Sequence, residues 1–290
     1  MISPEILKKI QEIKIRTRRV MDGTLVGGHV TKQKGSGFEF DQIRAYSYGD
    51  DIRFVDWNSS ARSGKLLVRQ YLDEKNRTII VCLDVSISTL FASKHAIMSD
   101  VMRNIAAVLS FVADYEQDAV GLLLFSDTVE LFIPPSRGHR HTLHIVETIL
   151  SYKPKTKKTD FNCLVSYLLE SYKHQGALII ISDFIADTID RCLKQLVCKR
   201  EIIAIRCLDE GLKTIPSVGY VFGQDPETQE QMLLYFSDKY AEQLEKTLQQ
   251  RCVDQNQLFK SCRIDCLDIL SDKDYVETLL LFFKRRMAIP

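Results

Sequence analysis

From Thr78 onward the chain repeats one pattern, a short apolar run followed by a segment with apolar residues every three to four positions. Thr78–Leu83 is apolar and β-branched, long enough only for a buried strand. Residues 96–116 are helical in period, with Ile97, Val101, Ile105, Val108, Leu109 and Val112 on one face. Val120–Phe125 reads as a second strand, and Val129–Ile133 as a short edge strand ending at Pro134–Pro135. Helical segments near 140–151 and 161–174 precede a strand at Ala177–Ile181, a helix over 187–198 and a strand at Ile202–Cys207. Val218–Phe222 and Met232–Phe236 form a hairpin pattern around Asp225–Pro226. A helix near 238–256, a strand near 263–268 and a helix near 273–286 follow. Such alternation implies an α/β fold: a doubly wound, mostly parallel sheet covered on both faces.

The first 76 residues lack this rhythm, which divides the chain into an N-terminal extension, 1–76, packed on a main domain, 77–290. Residues 3–20 read as a helix, with Ser3 as cap, Pro4 in the first turn and a stripe of Ile6, Leu7, Ile10 and Ile13. Its other face carries Lys8, Lys9, Lys14, Arg16, Arg18 and Arg19. That face is the solvated side of a docked helix or, alternatively, a contact for an anionic partner or membrane surface. Gly23–Asn76 reads as loops and short strands without a core of their own.

Composition excludes several classes. A net charge of +1 over 290 residues gives no global field for nucleic acid or an anionic membrane, and no aromatic-basic module is present. No apolar run approaches the ~20 residues a membrane span needs, and the N-terminus has no secretory apolar region. Eight scattered cysteines without a Cys-x-x-Cys pair read as reduced thiols in a cytoplasm. Cys262 and Cys266 lack the second pair that a zinc site needs.

Doubly wound sheets bind ligands beyond the carboxyl ends of their strands. The first run of the rhythm ends in Asp84-Val85-Ser86-Ile87-Ser88. In extended chain, Asp84, Ser86 and Ser88 point the same way. Thr159-Asp160 opens a helix, and Leu178–Ile181 ends in Ser182-Asp183. Two carboxylates (Asp84, Asp183) and three hydroxyls (Ser86, Ser88, Thr159) suit a hard cation such as Mg2+, or Mn2+ or Ca2+, rather than zinc. Two carboxylates match the charge of the cation but leave its coordination open, so a carboxylate from a protein partner can complete it.

Asp84-x-Ser86-x-Ser88, Thr159 and Asp183 resemble, in order and spacing, the metal-ion-dependent adhesion site of von Willebrand factor A domains. The resemblance implies direct ligation by the serines and threonine, with the aspartates acting largely through water. Ile87 stands where such sites often carry Gly, and Lys157 and Lys158 precede Thr159 where small residues are usual. A second set of motifs is similar to the domain-of-unknown-function fifty-eight family: Gly35-Ser36-Gly37-x-Glu39-Phe40, Arg44-x-Tyr46, Gly49-Asp50-Asp51-x-Arg53-x-x-Asp56-Trp57-Asn58, Ala61-Arg62, Val68-Arg69 and Asp225-Pro226-Glu227-Thr228. That resemblance spans residues ~20–270. It implies a non-enzymatic adaptor that works with a MoxR-type AAA+ ATPase in chaperone-like maturation of a client.

Other features have plainer readings. Asp127 reads as a turn residue, and His139, His141 and His144 as polar surface. Lys153–Lys158 reads as a solvated loop that suits an acidic partner, with phosphate contact as the alternative. Trp57 reads as a core or inter-segment anchor or, alternatively, a binding hot spot. Arg44, Asp50, Asp51, Arg53, Asp56 and Arg62 read as an ion-paired layer fixing 35–70 against the sheet, or as a partner surface. The competing function is an aspartyl-phosphate-type phosphatase or hydrolase built on Asp84. Against it, Ser86 stands where such enzymes carry a second Asp, and no phosphate-binding loop or Gly-x-Ser-x-Gly motif is present.

Overall fold

The computed structural model describes residues 34–35, 39–72, 77–86, 98–154, 158–172, 176–186, 189–209, 219–224, 231–270 and 275–287. The expected helix over 3–20, the turn at Asp225–Pro226 and Ser88 lie outside these residues.

The main sheet has six strands in the order β11-β8-β7-β4-β5-β6. These are β4 (Thr78–Asp84), β5 (Ala119–Phe125), β6 (Val129–Ser136), β7 (Ala177–Ser182), β8 (Glu201–Leu208) and β11 (Asp265–Leu270). All pairs are parallel except β5 with β6. The two prolines of β6 sit within the strand, at its carboxyl end, because an edge strand does not need every N–H. Gly121 permits this pairing: a Cβ there would lie 2.9 Å from the Pro135 ring and 3.0 Å from the Ile133 carbonyl.

Period-two alternation splits the strands between two cores. Val81 and Leu83 of β4, Ile179 and Ile181 of β7, and Ile203 and Ile205 of β8 face helices α2 (Met98–Tyr115), α3 (His139–Ser151) and α7 (Tyr275–Met287). Ile80 and Cys82, Leu178 and Ile180, and Ile202 and Ala204 face α4 (Phe161–Glu170), α5 (Ile189–Val197) and α6 (Asp238–Ser261). At about 1.5–3 kcal/mol per fully buried aliphatic side chain, these two layers are the main stabilising term. Caps set the helix starts: Asp160 accepts from Asn162 N–H, and Ser237 from Tyr240 N–H. The expected elements are present with shifted ends. Helix α4 stops at Glu170, α6 runs on to Ser261 because Leu258 and Phe259 are buried, and the strand expected near 263–268 is Asp265–Leu270. The hairpin pattern is an antiparallel pair, β9 (Gly219–Gln224) with β10 (Gln231–Phe236).

Residues 34–72 carry more order than loops. Strands β1 (Lys34–Gly35), β2 (Glu39–Ala45) and β3 (Leu67–Leu72) form an antiparallel sheet, order β1-β3-β2, joined by helix α1 (Trp57–Ser63). Val55, Asp56 and Val68 are buried there. Among the described residues three ion pairs lie within the segment: Arg44–Asp50 at 2.6 Å, Arg53–Asp51 at 2.6 Å and Arg69–Asp56 at 3.0 Å. Asp56 also caps α1 through Ser59 N–H, and Gly64 ends that helix in the left-handed conformation. Trp57 is exposed, so it is not a core anchor.

Candidate metal centre

The chain runs from β4 to β5 on one side, then crosses to β7 on the other, so the carboxyl ends of β4 and β7 form the topological switch point. Register fixes what meets there. Leu83 pairs with Ile181, and Asp84 with Phe125. Asp84 therefore stands beside Ser182, one residue past the last pair.

Asp84 is almost wholly buried, at 2% exposure. Its Oδ1 accepts from Ser86 N–H at 3.0 Å, and its Oδ2 accepts from the Ser182 hydroxyl at 2.7 Å. Ser182 Oγ in turn accepts from Phe184 N–H at 3.0 Å. Asp183 Oδ1 accepts from Ile185 N–H at 3.0 Å. Asp84 is thus held by a donor from the turn after its strand and one from the end of β7, and Asp183 by a donor from the turn after β7. Burial pushes the Asp84 carboxyl above its ordinary range, against the hydrogen bonds from Ser86 and Ser182. Burial, and then the charge of Asp84, push Asp183 up to about 7. The groups that oppose this are hydrogen-bond donors, not cations.

Thr159 lies one strand away from Asp84. Asp160 N–H donates to Ser126 O at 2.9 Å, which ties the 158–160 segment to the end of β5. The Cys163 thiol bonds to both Ser126 O and Asp160 O, and is pushed up to about 12 by burial and by the charges of Asp160, Asp127 and Asp84. Thr159 Oγ1 is buried without a hydrogen-bond partner among the described residues, and so is Asp127 Oδ1. Buried polar atoms without partners are uncommon, and one at a ligand rim fits an oxygen donor awaiting a cation.

The structure therefore joins Asp84, Ser86 and Asp183 through adjacent strands, with Thr159 placed at the neighbouring strand end. The sequence reading missed the Ser182 hydroxyl, which bridges toward both aspartates. Its only signal was a polar residue closing an apolar run. The histidines do not converge: His139 Nδ1 pairs with Asp114 at 2.7 Å, and His141 Nε2 meets Val120 O at 2.9 Å. Among the described residues no group of three or more His, Cys, Asp or Glu side chains is gathered as a metal site. The donor set that does gather mixes two carboxylates with hydroxyls. That mixture fits a hard cation and does not fit zinc.

All eight cysteines are free thiols. No described helix is long and apolar enough to cross a membrane. The family model described as "Protein of unknown function DUF58" matches residues 42–253. The chain belongs to the DUF58 family. This DUF58 protein is 23% identical to uncharacterized proteins of Mycobacterium bovis and Mycobacterium tuberculosis over 286 residues, 98% of this chain and 90% of each of theirs. Among solved structures it is similar to BatB from Bacteroides thetaiotaomicron, with a TM-score of 0.47, 11% identity, and coverage of 73% of this chain and 98% of that one. An aerotolerance-related membrane protein from Bacteroides fragilis matches with the same values. The strand order of this DUF58 protein, with helices on both faces, is that of a doubly wound, mostly parallel α/β sheet.

Proposed function

We propose that this DUF58 protein is a metal-dependent protein-binding module that recognises a carboxylate of its partner at the switch point and turns over no substrate. One observation carries the reading. Asp84, buried, and Asp183, half-buried, stand at the ends of adjacent strands, and among the described residues only hydrogen-bond donors, not cations, offset the upward push on their carboxyls. A divalent ion supplies the missing positive charge and leaves a coordination position for an acidic side chain. Asp84, Ser86, Ser88, Thr159 and Asp183 would hold Mg2+, or Mn2+ or Ca2+ in its place. The donors from Ser86, Ser182 and Ile185 aim both carboxylates before any ligand arrives, so little ordering is needed on binding.

The partner class follows from the family resemblance: a MoxR-type AAA+ ATPase, with this protein as cytoplasmic adaptor in chaperone-like maturation of a client. The test is co-purification with the MoxR-type ATPase of the same organism, in Mg2+ and in chelator. Complex formation is expected only with Mg2+, and it is lost in Asp84→Asn, which keeps its circular dichroism spectrum. A complex indifferent to chelation removes the metal bridge from the reading.

A further inference from the structure

Arg206 is an arginine inside an apolar strand, and its exposure is 1%. A buried guanidinium is costly unless its donors are met. Here they are: Nε and Nη2 donate to the two oxygens of Asp268 on β11, each at 2.8 Å. Nη1 donates to Gln255 Oε1, and Nη2 also to Asn256 Oδ1, each at 2.8 Å. Arginine has donors only, so Gln255 must present its oxygen to Arg206 and its amide nitrogen elsewhere. That nitrogen, Nε2, donates to the backbone carbonyl of Phe184 at 2.7 Å in a buried setting.

Phe184 directly follows Asp183, and its φ is +57°, a conformation that L-residues with bulky side chains rarely adopt. It is held by its own N–H on Ser182 Oγ, by the Gln255 bond at its carbonyl, and by ring contacts with Phe161 (5.8 Å, stacked) and Phe259 (5.3 Å, edge-on). The turn that aims Asp183 is thus clamped from helix α6. We propose that Arg206 and Gln255 are positioning residues for the cation site: Arg206 fixes the Gln255 amide, and Gln255 fixes the left-handed turn that aims Asp183. The proposal rests on the cation reading above.

Three variants separate positioning from simple helix docking. Gln255→Met keeps the length of the side chain and removes both bonds. Gln255→Glu keeps an acceptor for Arg206 but cannot donate to Phe184. Asn256→Ala removes one Arg206 partner and leaves the Phe184 bond intact. Amide hydrogen exchange at Phe184 and Ile185 is measured in metal-free protein, and Mn2+ affinity by electron paramagnetic resonance. Gln255→Met and Gln255→Glu are expected to speed exchange at both amides, and Asn256→Ala to leave it unchanged. Mn2+ affinity should fall about tenfold in Gln255→Met, as for outer partners of metal ligands generally, and hold in Asn256→Ala. Unchanged exchange in both Gln255 variants overturns the proposal. So does equal loosening in Asn256→Ala, or unchanged Mn2+ affinity in Gln255→Met. A wild-type protein that takes no Mn2+ defeats the cation reading instead, and the exchange data still decide whether Gln255 holds the turn.

Discussion

Asp84 is buried and Asp183 half-buried, and burial together with the charge of Asp84 disfavours the ionised form of Asp183, so the ionised pair opposes stability. Asp183→Asn keeps an oxygen for the Ile185 N–H and removes one of the charges. In chelator the variant is expected to be more stable than wild type by roughly 1–3 kcal/mol, the order of the penalty carried by a poorly satisfied polar group removed from water. Added Mg2+ should then stabilise wild type and leave the variant unmoved. Urea denaturation in both buffers measures this; a variant less stable than wild type in chelator contradicts the repulsion. Asp84, Thr159 and Asp183 were legible because each follows the end of an apolar run or opens a helix, positions that a parallel sheet turns into one rim. Ser182 and the left-handed Phe184 were not legible. Their roles depend on which strands pair, and a single position carries no period.

Most elements could be read from the sequence because burial on both faces makes a strand continuously apolar, while a covering helix keeps a stripe. Where a charge enters such a strand the pattern is silent about its partner, so Arg206 gave no hint of Asp268 across on β11. The 39–72 segment was the least legible. Its β2–β3 pairing is short and bulged between Phe40 and Gln42, and local ion pairs add to its order. Asp50 shows how. Hydrogen bonds from Arg44, and then from Ser47 N–H, hold its carboxyl down to about 2, against an ordinary value of 3.8. A depressed folded value means the pair stabilises the segment in full above about pH 4, and the contribution fades as pH falls through about 2. An NMR titration of the Asp50 side-chain carboxyl should show that midpoint in wild type and move toward 3.8 in Arg44→Met. Coincident midpoints would mean the pair does not persist in solution.

The described donors of the proposed cation site come from three stretches far apart in the chain: 84–86, 159 and 183. All three are carried by the six-stranded sheet or by the segment tied to its β5 end. None lies in 39–72, where ion pairs among the described residues, Arg44–Asp50, Arg53–Asp51 and Arg69–Asp56, are local to the segment. Mass action makes this a difference that can be measured. A ligand that binds only the folded sheet stabilises it by RT ln(1 + [L]/Kd), about 2.7 kcal/mol at a hundredfold excess over Kd. Amides of β4, β7 and β8 that exchange through unfolding of the sheet should slow by up to about a hundredfold in saturating Mg2+. Amides of β2 and β3 will slow equally only if their sheet unfolds together with the larger one. The local closure of Arg44–Asp50 and Arg69–Asp56 argues that it does not, so those amides are expected to keep their metal-free rates. Hydrogen exchange read by mass spectrometry, with and without Mg2+, distinguishes the cases. Equal slowing in both sheets would show one cooperative unit, with 39–72 as part of the platform that the cation stabilises.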